Sequence, residues 1–120
     1  MDRRATSSIA DPALRRFARQ LREELDASQV LLFGSRARGQ ERSDSDYDLI
    51  VVSPQFDGIE SMRRAIGLRQ IWYRMGGHGP MDLVCLTPKE FTEARRRISL
   101  IAAVLPEAID LLPVERTVSA

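Results

Sequence analysis

Apolar residues change their spacing several times along the chain, and each change marks a boundary. Leu14, Phe17, Ala18, Leu21 and Leu25 recur at helical spacing behind Asp11 and Pro12. This predicts an amphipathic helix, entered through an N-cap and a first-turn proline and running to about Ala27. Val30 to Phe33 and Tyr47 to Val52 are instead short apolar runs, closed by Gly34 and by Ser53 with Pro54. Such runs, the second rich in β-branched residues, predict largely buried strands. From Ile59 to about Arg74 the positions Ile59, Met62, Ala65, Ile66, Trp72 and Tyr73 fit the apolar face of a second helix. Arg63, Arg64, Gln70 and Arg74 then fall mainly on its other side, and Gly67 weakens the helix without forbidding it.

The glycine-rich stretch from residue 76 to Pro80 reads as a loop, and Met81 to Leu86 as a third strand. Thr87, Pro88 and Glu90 form the start of a capping box. The helix they open carries Phe91, Ala94, Ile98, Ile101, Ala102 and Leu105 on one face and stops at Pro106. Ala108 to Leu112 fits either a fourth, edge strand or one more helical turn. Residues 1–10 and 115–120 lack periodicity and read as tails around a single domain spanning 11–114. The expected class is α/β (α+β), a small mixed β-sheet packed against helices.

Composition narrows the partners. The 120 residues are 43% hydrophobic, enough for one modest core, and the net charge is +1. No global field calls for nucleic acid. Cys85 is the sole cysteine, which excludes an internal disulfide and a multi-cysteine zinc site and fits a reducing cytoplasm. The chain shows no signal-peptide pattern and no apolar run of membrane-spanning length. A cytoplasmic protein away from membranes is the expectation.

The chemistry lies in the stretch LLFGSRARGQERSDSDYDLIVV, residues 31–52. Side chains alternate along a strand, so Asp46 and Asp48 project to one face at the mouth of the second strand. Asp82 interrupts the third apolar run in the same way, near its start. Carboxylates set into such runs are costly unless a cation meets them. If the second and third strands are neighbours, three acids converge into an oxygen donor set that suits Mg²⁺ or Mn²⁺. Gly34 and Ser35, followed by Arg36 and Arg38, offer backbone amides, a hydroxyl and guanidinium forks where a polyphosphate could lie. Gly34 and Gly39 have P-loop spacing, but Gln40 and Glu41 stand where its lysine and hydroxyl residue belong, so this is not a Walker A site.

Gly34-Ser35, then ten residues, then Asp46-Tyr47-Asp48 at a strand, then Asp82 on a later strand, together resemble the nucleotidyltransferase superfamily that includes DNA polymerase beta, and in particular its minimal nucleotidyltransferases. The resemblance covers roughly residues 12–112. It implies that Asp46, Asp48 and Asp82 are catalytic and hold two Mg²⁺ ions, with Mn²⁺ as a substitute. It implies that Gly34 and Ser35 bind the β and γ phosphates of an incoming nucleotide, ATP or another NTP. Arg36, Arg38 or Arg42 would then neutralise departing pyrophosphate. Larger relatives add segments that bind the acceptor, so the expectation is an acceptor presented by another chain. Minimal nucleotidyltransferases of the kind this chain resembles often pair with a small helical HEPN protein. Such pairs resemble toxin–antitoxin systems in which the transferase moves AMP from ATP onto a tyrosine of the partner. A small-molecule or RNA-end acceptor, and a binding module without turnover, are the alternatives. A homodimer or a hetero-oligomer with that partner is the expected assembly.

Other residues read as structural. His78 belongs to a loop, Cys85 to the core, and Trp72 and Tyr73 to a helix's core face. Arg95, Arg96 and Arg97 wrap a helical turn and face solvent.

Overall fold

The computed structural model describes residues 12–34, 47–97 and 99–112. Helix α1 spans Pro12–Leu25 and buries Leu14, Phe17, Ala18 and Leu21. Asp26, with φ of +57°, takes the left-handed turn that ends it. Strand β1 (Gln29–Phe33) and strand β2 (Tyr47–Val52) pair antiparallel, Leu31 opposite Ile50 and Phe33 opposite Asp48. Helix α2 (Ser61–Arg74) carries the chain to strand β3 (Met81–Leu86), which runs parallel to β2. A parallel pair needs a crossover of this kind, and α2 supplies it. Helices α3 (Pro88–Arg96) and α4 (Leu100–Val104) follow, and the two-residue strand β4 (Ile109–Asp110) closes on the free edge of β1. The sheet order is β3-β2-β1-β4. Ala108 to Leu112 therefore contributes an edge strand, which settles the choice left open by its sequence.

Alternation along the strands divides the core in two. Val30, Leu32, Leu49, Val51, Met81 and Cys85 face α1 and α2, with Phe17, Leu68 and Trp72 filling the layer between. Leu31, Ile50 and Val52 face the other way and are covered by Phe91 and Ile101. Asp48 and Asp82, at the same parity as Ile50 and Val84, belong to this second face.

Two expectations need correction. The helix after Thr87 is not continuous: the capping box forms as predicted, but α3 ends at Arg96, where Arg97 is extended. Ser99 then caps α4 by accepting from the Ala102 amide while its own hydroxyl donates to the Ala94 carbonyl. The local capping bonds of serine outcompete helix continuation. Helix α2 is also rotated from the face its apolar residues suggested. Its buried residues are Arg64, Leu68, Ile71 and Trp72, whereas Met62 is 76% exposed, Tyr73 55% and Ile66 52%.

Arg64 is buried because polar partners surround it. Its Nε donates to the Ile59 carbonyl at 2.8 Å, and one terminal nitrogen donates to the Cys85 carbonyl at 2.9 Å and to Glu90 at 2.7 Å. Its guanidinium also lies 5.7 Å from the centre of the Phe56 ring. One side chain thus joins α2, β3 and α3, and satisfaction of its donors is what makes its burial tolerable.

Candidate functional site

Three strand ends meet at one end of the sheet. β1 finishes at Phe33 and Gly34, β2 begins at Tyr47, and β3 begins at Met81. In the parallel β2–β3 ladder Asp48 is the register partner of Asp82. Paired residues of neighbouring strands project to the same face about 4.8 Å apart in backbone spacing. The two carboxylates therefore stand side by side. Asp48 is half-buried and Asp82 exposed, so the pair opens outward.

Gly34 closes the site from the β1 side. Its φ is +78°, in the left-handed region that L side chains rarely adopt. A Cβ added there would land on the Asp48 carboxylate, 3.2 Å from Cγ and closer still to Oδ2. Glycine is required twice over, by conformation and by the carboxylate lying against its backbone.

The strand starts are held from behind. The Tyr47 amide donates to the Pro80 carbonyl at 3.2 Å, and Arg69 Nε donates to the Met81 carbonyl at 3.2 Å. Tyr47, on the opposite face from Asp48, packs edge-on against Trp72 with centroids 5.6 Å apart, and Trp72 packs in turn on Phe17 at 5.2 Å. Gly77 lies so close that a Cβ would overlap the indole. The Trp72 indole nitrogen is buried and finds no acceptor among the described residues. Trp72 belongs to the core, as its sequence position predicts; with Gly77 it also supports the residue preceding Asp48, a role that helical periodicity does not show and that only the glycine-rich loop signals.

Of the residues singled out in the sequence, Gly34, Asp48 and Asp82 are brought together. Ser35, Arg36, Arg38, Arg42 and Asp46 lie outside the described residues. Among the described residues no cluster of three acidic, histidine or cysteine side chains occurs. The Asp48–Asp82 pair nevertheless fits a hard divalent cation, because its donors are carboxylate oxygens projecting together from one face. His78 is an exposed loop residue. Cys85 is buried, and burial pushes its thiol up to about 12, which rules it out as a nucleophile near neutral pH. Tyr73, expected in the core, is exposed. Arg95, Arg96 and Arg97 are exposed as expected, Arg95 lying over the Phe91 ring. Among the described residues, no helix is long and apolar enough to cross a membrane.

Comparison with solved structures finds the same architecture elsewhere. A Sulfolobus solfataricus protein, itself an inferred nucleotidyltransferase, superposes with a TM-score of 0.56 at 18% identity, over 92% of this chain and 87% of that one. BolA1 from Arabidopsis thaliana superposes with a TM-score of 0.53 at 18% identity, over 67% of this chain and 96% of its own. Shared shape at such identity speaks to fold alone, and two proteins of different kinds illustrate that limit. No curated protein matches significantly. Sequence carries the assignment: the family model described as a nucleotidyltransferase domain matches residues 14–118, a span that holds Gly34, Asp48 and Asp82 together with the stretch between them. The chain belongs to the nucleotidyltransferase domain family.

Proposed function

We propose that this protein transfers a nucleoside monophosphate, AMP from ATP, onto a hydroxyl of a partner protein. The observation that carries the reading is the in-register pairing of Asp48 with Asp82 beside the Gly34 backbone. In this reading Asp46 joins them to hold two Mg²⁺ ions. Bound there, the ions would supply positive charge to the triphosphate and favour ionisation of the attacking hydroxyl. Gly34 turns the backbone toward the phosphates, Ser35 offers its hydroxyl, and Arg36 and Arg38 balance the charge of departing pyrophosphate. The transfer forms a phosphodiester bond between the acceptor oxygen and the α-phosphorus and breaks the bond to pyrophosphate.

A protein acceptor is favoured by the openness of the site. Asp82 is exposed at the sheet's end, where a hydroxyl on a large partner can reach it. Resemblance to minimal nucleotidyltransferases makes a small helical HEPN protein the partner of choice and the pair a toxin–antitoxin system. The test is transfer from α-labelled nucleotides, each in turn, with Mg²⁺ and either lysate or a co-encoded helical protein as acceptor. Wild type should label a protein band, and Asp48→Asn and Asp82→Asn should not. Label on a small molecule or an RNA end instead would overturn the protein acceptor while keeping the transfer. Nucleotide binding with no transfer to any acceptor would reduce the protein to a binding module.

A further inference from the structure

β3 is an edge strand, and its backbone groups alternate between β2 and the open side. The Tyr47 amide donates to the Pro80 carbonyl and the Ser53 amide to the Leu86 carbonyl, so Pro80, Asp82, Val84 and Leu86 turn their backbone groups toward β2. Met81, Leu83 and Cys85 turn theirs away. Two arginines of α2 occupy outward carbonyls. Arg64 donates to Cys85 at 2.9 Å and Arg69 Nε to Met81 at 3.2 Å, so the helix grips the strand near both ends.

The two grips differ in what stands beside them. Arg64 holds the end of β3 that leads into α3, where Glu90 shares its guanidinium. Arg69, half-buried, holds the end that carries Asp82. The carbonyl it takes belongs to the peptide joining Met81 to Asp82, a planar unit that ends at the Asp82 Cα. Turning that plane redirects the bond from which the carboxylate projects. The carboxylate supplies no anchor of its own, being exposed and without a hydrogen bond or ion pair among the described residues. Residues 76–80, which lead into the strand, include three glycines and add little stiffness. Asp48 is placed differently, half-buried on an interior strand and against the Gly34 backbone.

We propose that Arg69 is a positioning residue for the acid pair: by holding the Met81–Asp82 peptide from the open edge of β3, it keeps the Asp82 carboxylate beside Asp48, where the two can share a divalent cation. The proposal rests on the reading that the pair holds such a cation. Arg69 acts through the backbone, and the rigid direction of its Nε–H suits it to fixing a single carbonyl. Groups that orient ligands from behind commonly govern metal affinity by about 10–100-fold.

Mn²⁺ binding to the full, nucleotide-free chain, followed by loss of the free-ion electron paramagnetic resonance signal, tests the proposal. Arg69→Met keeps the apolar stem and removes the donor, and should raise the Mn²⁺ dissociation constant about tenfold or more. Arg69→Gln, too short to reach the carbonyl, should reproduce the loss. Arg69→Lys returns one donor on a flexible stem and should recover most of the affinity. Arg64→Met releases the far grip and, measured below its thermal transition, should bind Mn²⁺ as wild type does. In label transfer the half-saturating Mg²⁺ concentration should rise for Arg69→Met by the same factor. Asp82→Asn separates the proposal from the reading beneath it. If Mn²⁺ affinity is indifferent to Asp82→Asn, the cation reading fails and the proposal goes with it. Affinity that needs Asp82 but survives Arg69→Met and Arg69→Gln overturns the proposal alone. An equal loss in Arg64→Met would also overturn it, because the effect would then be a general loosening of β3. So would failure of Arg69→Lys to rescue.

Discussion

Gly34→Ala isolates the close packing at the site from ordinary backbone strain. Alanine at a φ of +78° costs about 1–2 kcal/mol, because its Cβ crowds the following carbonyl. Strain is the smaller part of the perturbation. The new Cβ would sit 3.2 Å from the Asp48 Cγ and nearer to Oδ2, whereas unstrained carbon contacts lie at about 3.5–4.0 Å. Either the carboxylate or the Gly34 backbone must therefore shift by roughly 1 Å, and a misplacement of that size costs on the order of 10²-fold in rate, or about 2.7 kcal/mol of barrier. Gly76→Ala is the control. Gly76 also has positive φ, at +87°, but a Cβ there meets nothing within 4 Å. Both variants should melt a few degrees lower. Only Gly34→Ala should lose Mg²⁺-dependent nucleotide affinity, read by calorimetry without any acceptor, and labelled-nucleotide transfer. If the two variants bind and transfer alike, the approach of Asp48 to the Gly34 backbone does not matter for function and the reasoning fails.

Arg64→Met should destabilise the protein by about 3 kcal/mol in urea unfolding, because it strips a donor from two carbonyls and leaves Glu90 without its cation. The ion pair itself supplies the smaller share, since Glu90 is 43% exposed, and a loss below about 0.5 kcal/mol would contradict this account. Glu90 should make the fold acid-sensitive. Hydrogen bonds from Arg64 and then the Thr87 amide hold its carboxyl below the ordinary 4.5, so its contribution is complete above 4.5 and fades as pH falls through the lower folded value. Glu90→Gln should flatten stability against pH in that window, and an unchanged profile would refute the assignment. Cys85, buried with its thiol raised to about 12, should resist iodoacetamide at pH 8 until denaturant is added. Rapid native alkylation would show that the β3 core opens.

The strand positions were legible because each is a short apolar run ended by a residue that cannot continue it. β2 begins and ends where Tyr47 and Val52 predicted. Thr87 and Glu90 announced their helix because capping is local chemistry. The facing of α2 was misjudged for the opposite reason. Met62, Ile66 and Tyr73 form a real apolar stripe, but it points outward, and the inward face includes a charged residue. Arg64 reads as solvent-facing until Cys85 and Glu90, distant in sequence, come within reach. Periodicity reports that a helix has two faces, and only tertiary contacts decide which is covered. At the site, the sequence shows the acids and the glycine but not their neighbours, and the register of Asp48 with Asp82 needed the β2–β3 pairing to be known.

The parallel joint between β2 and β3 also bears on how the chain folds. The β1–β2 pair links neighbouring strands by one connection, whereas β2 and β3 can pair only after α2 has crossed over. Long-range pairing demands loop-closure entropy before any contact repays it, so such ladders form late. Asp48 and Asp82 are joined by that late ladder, and like charges side by side oppose its closure. A nascent chain therefore carries both acids long before they are neighbours. The pair of acids exists only once β3 has docked on β2, so on the proposed reading half-folded chains, on the ribosome or in denaturant, should be silent.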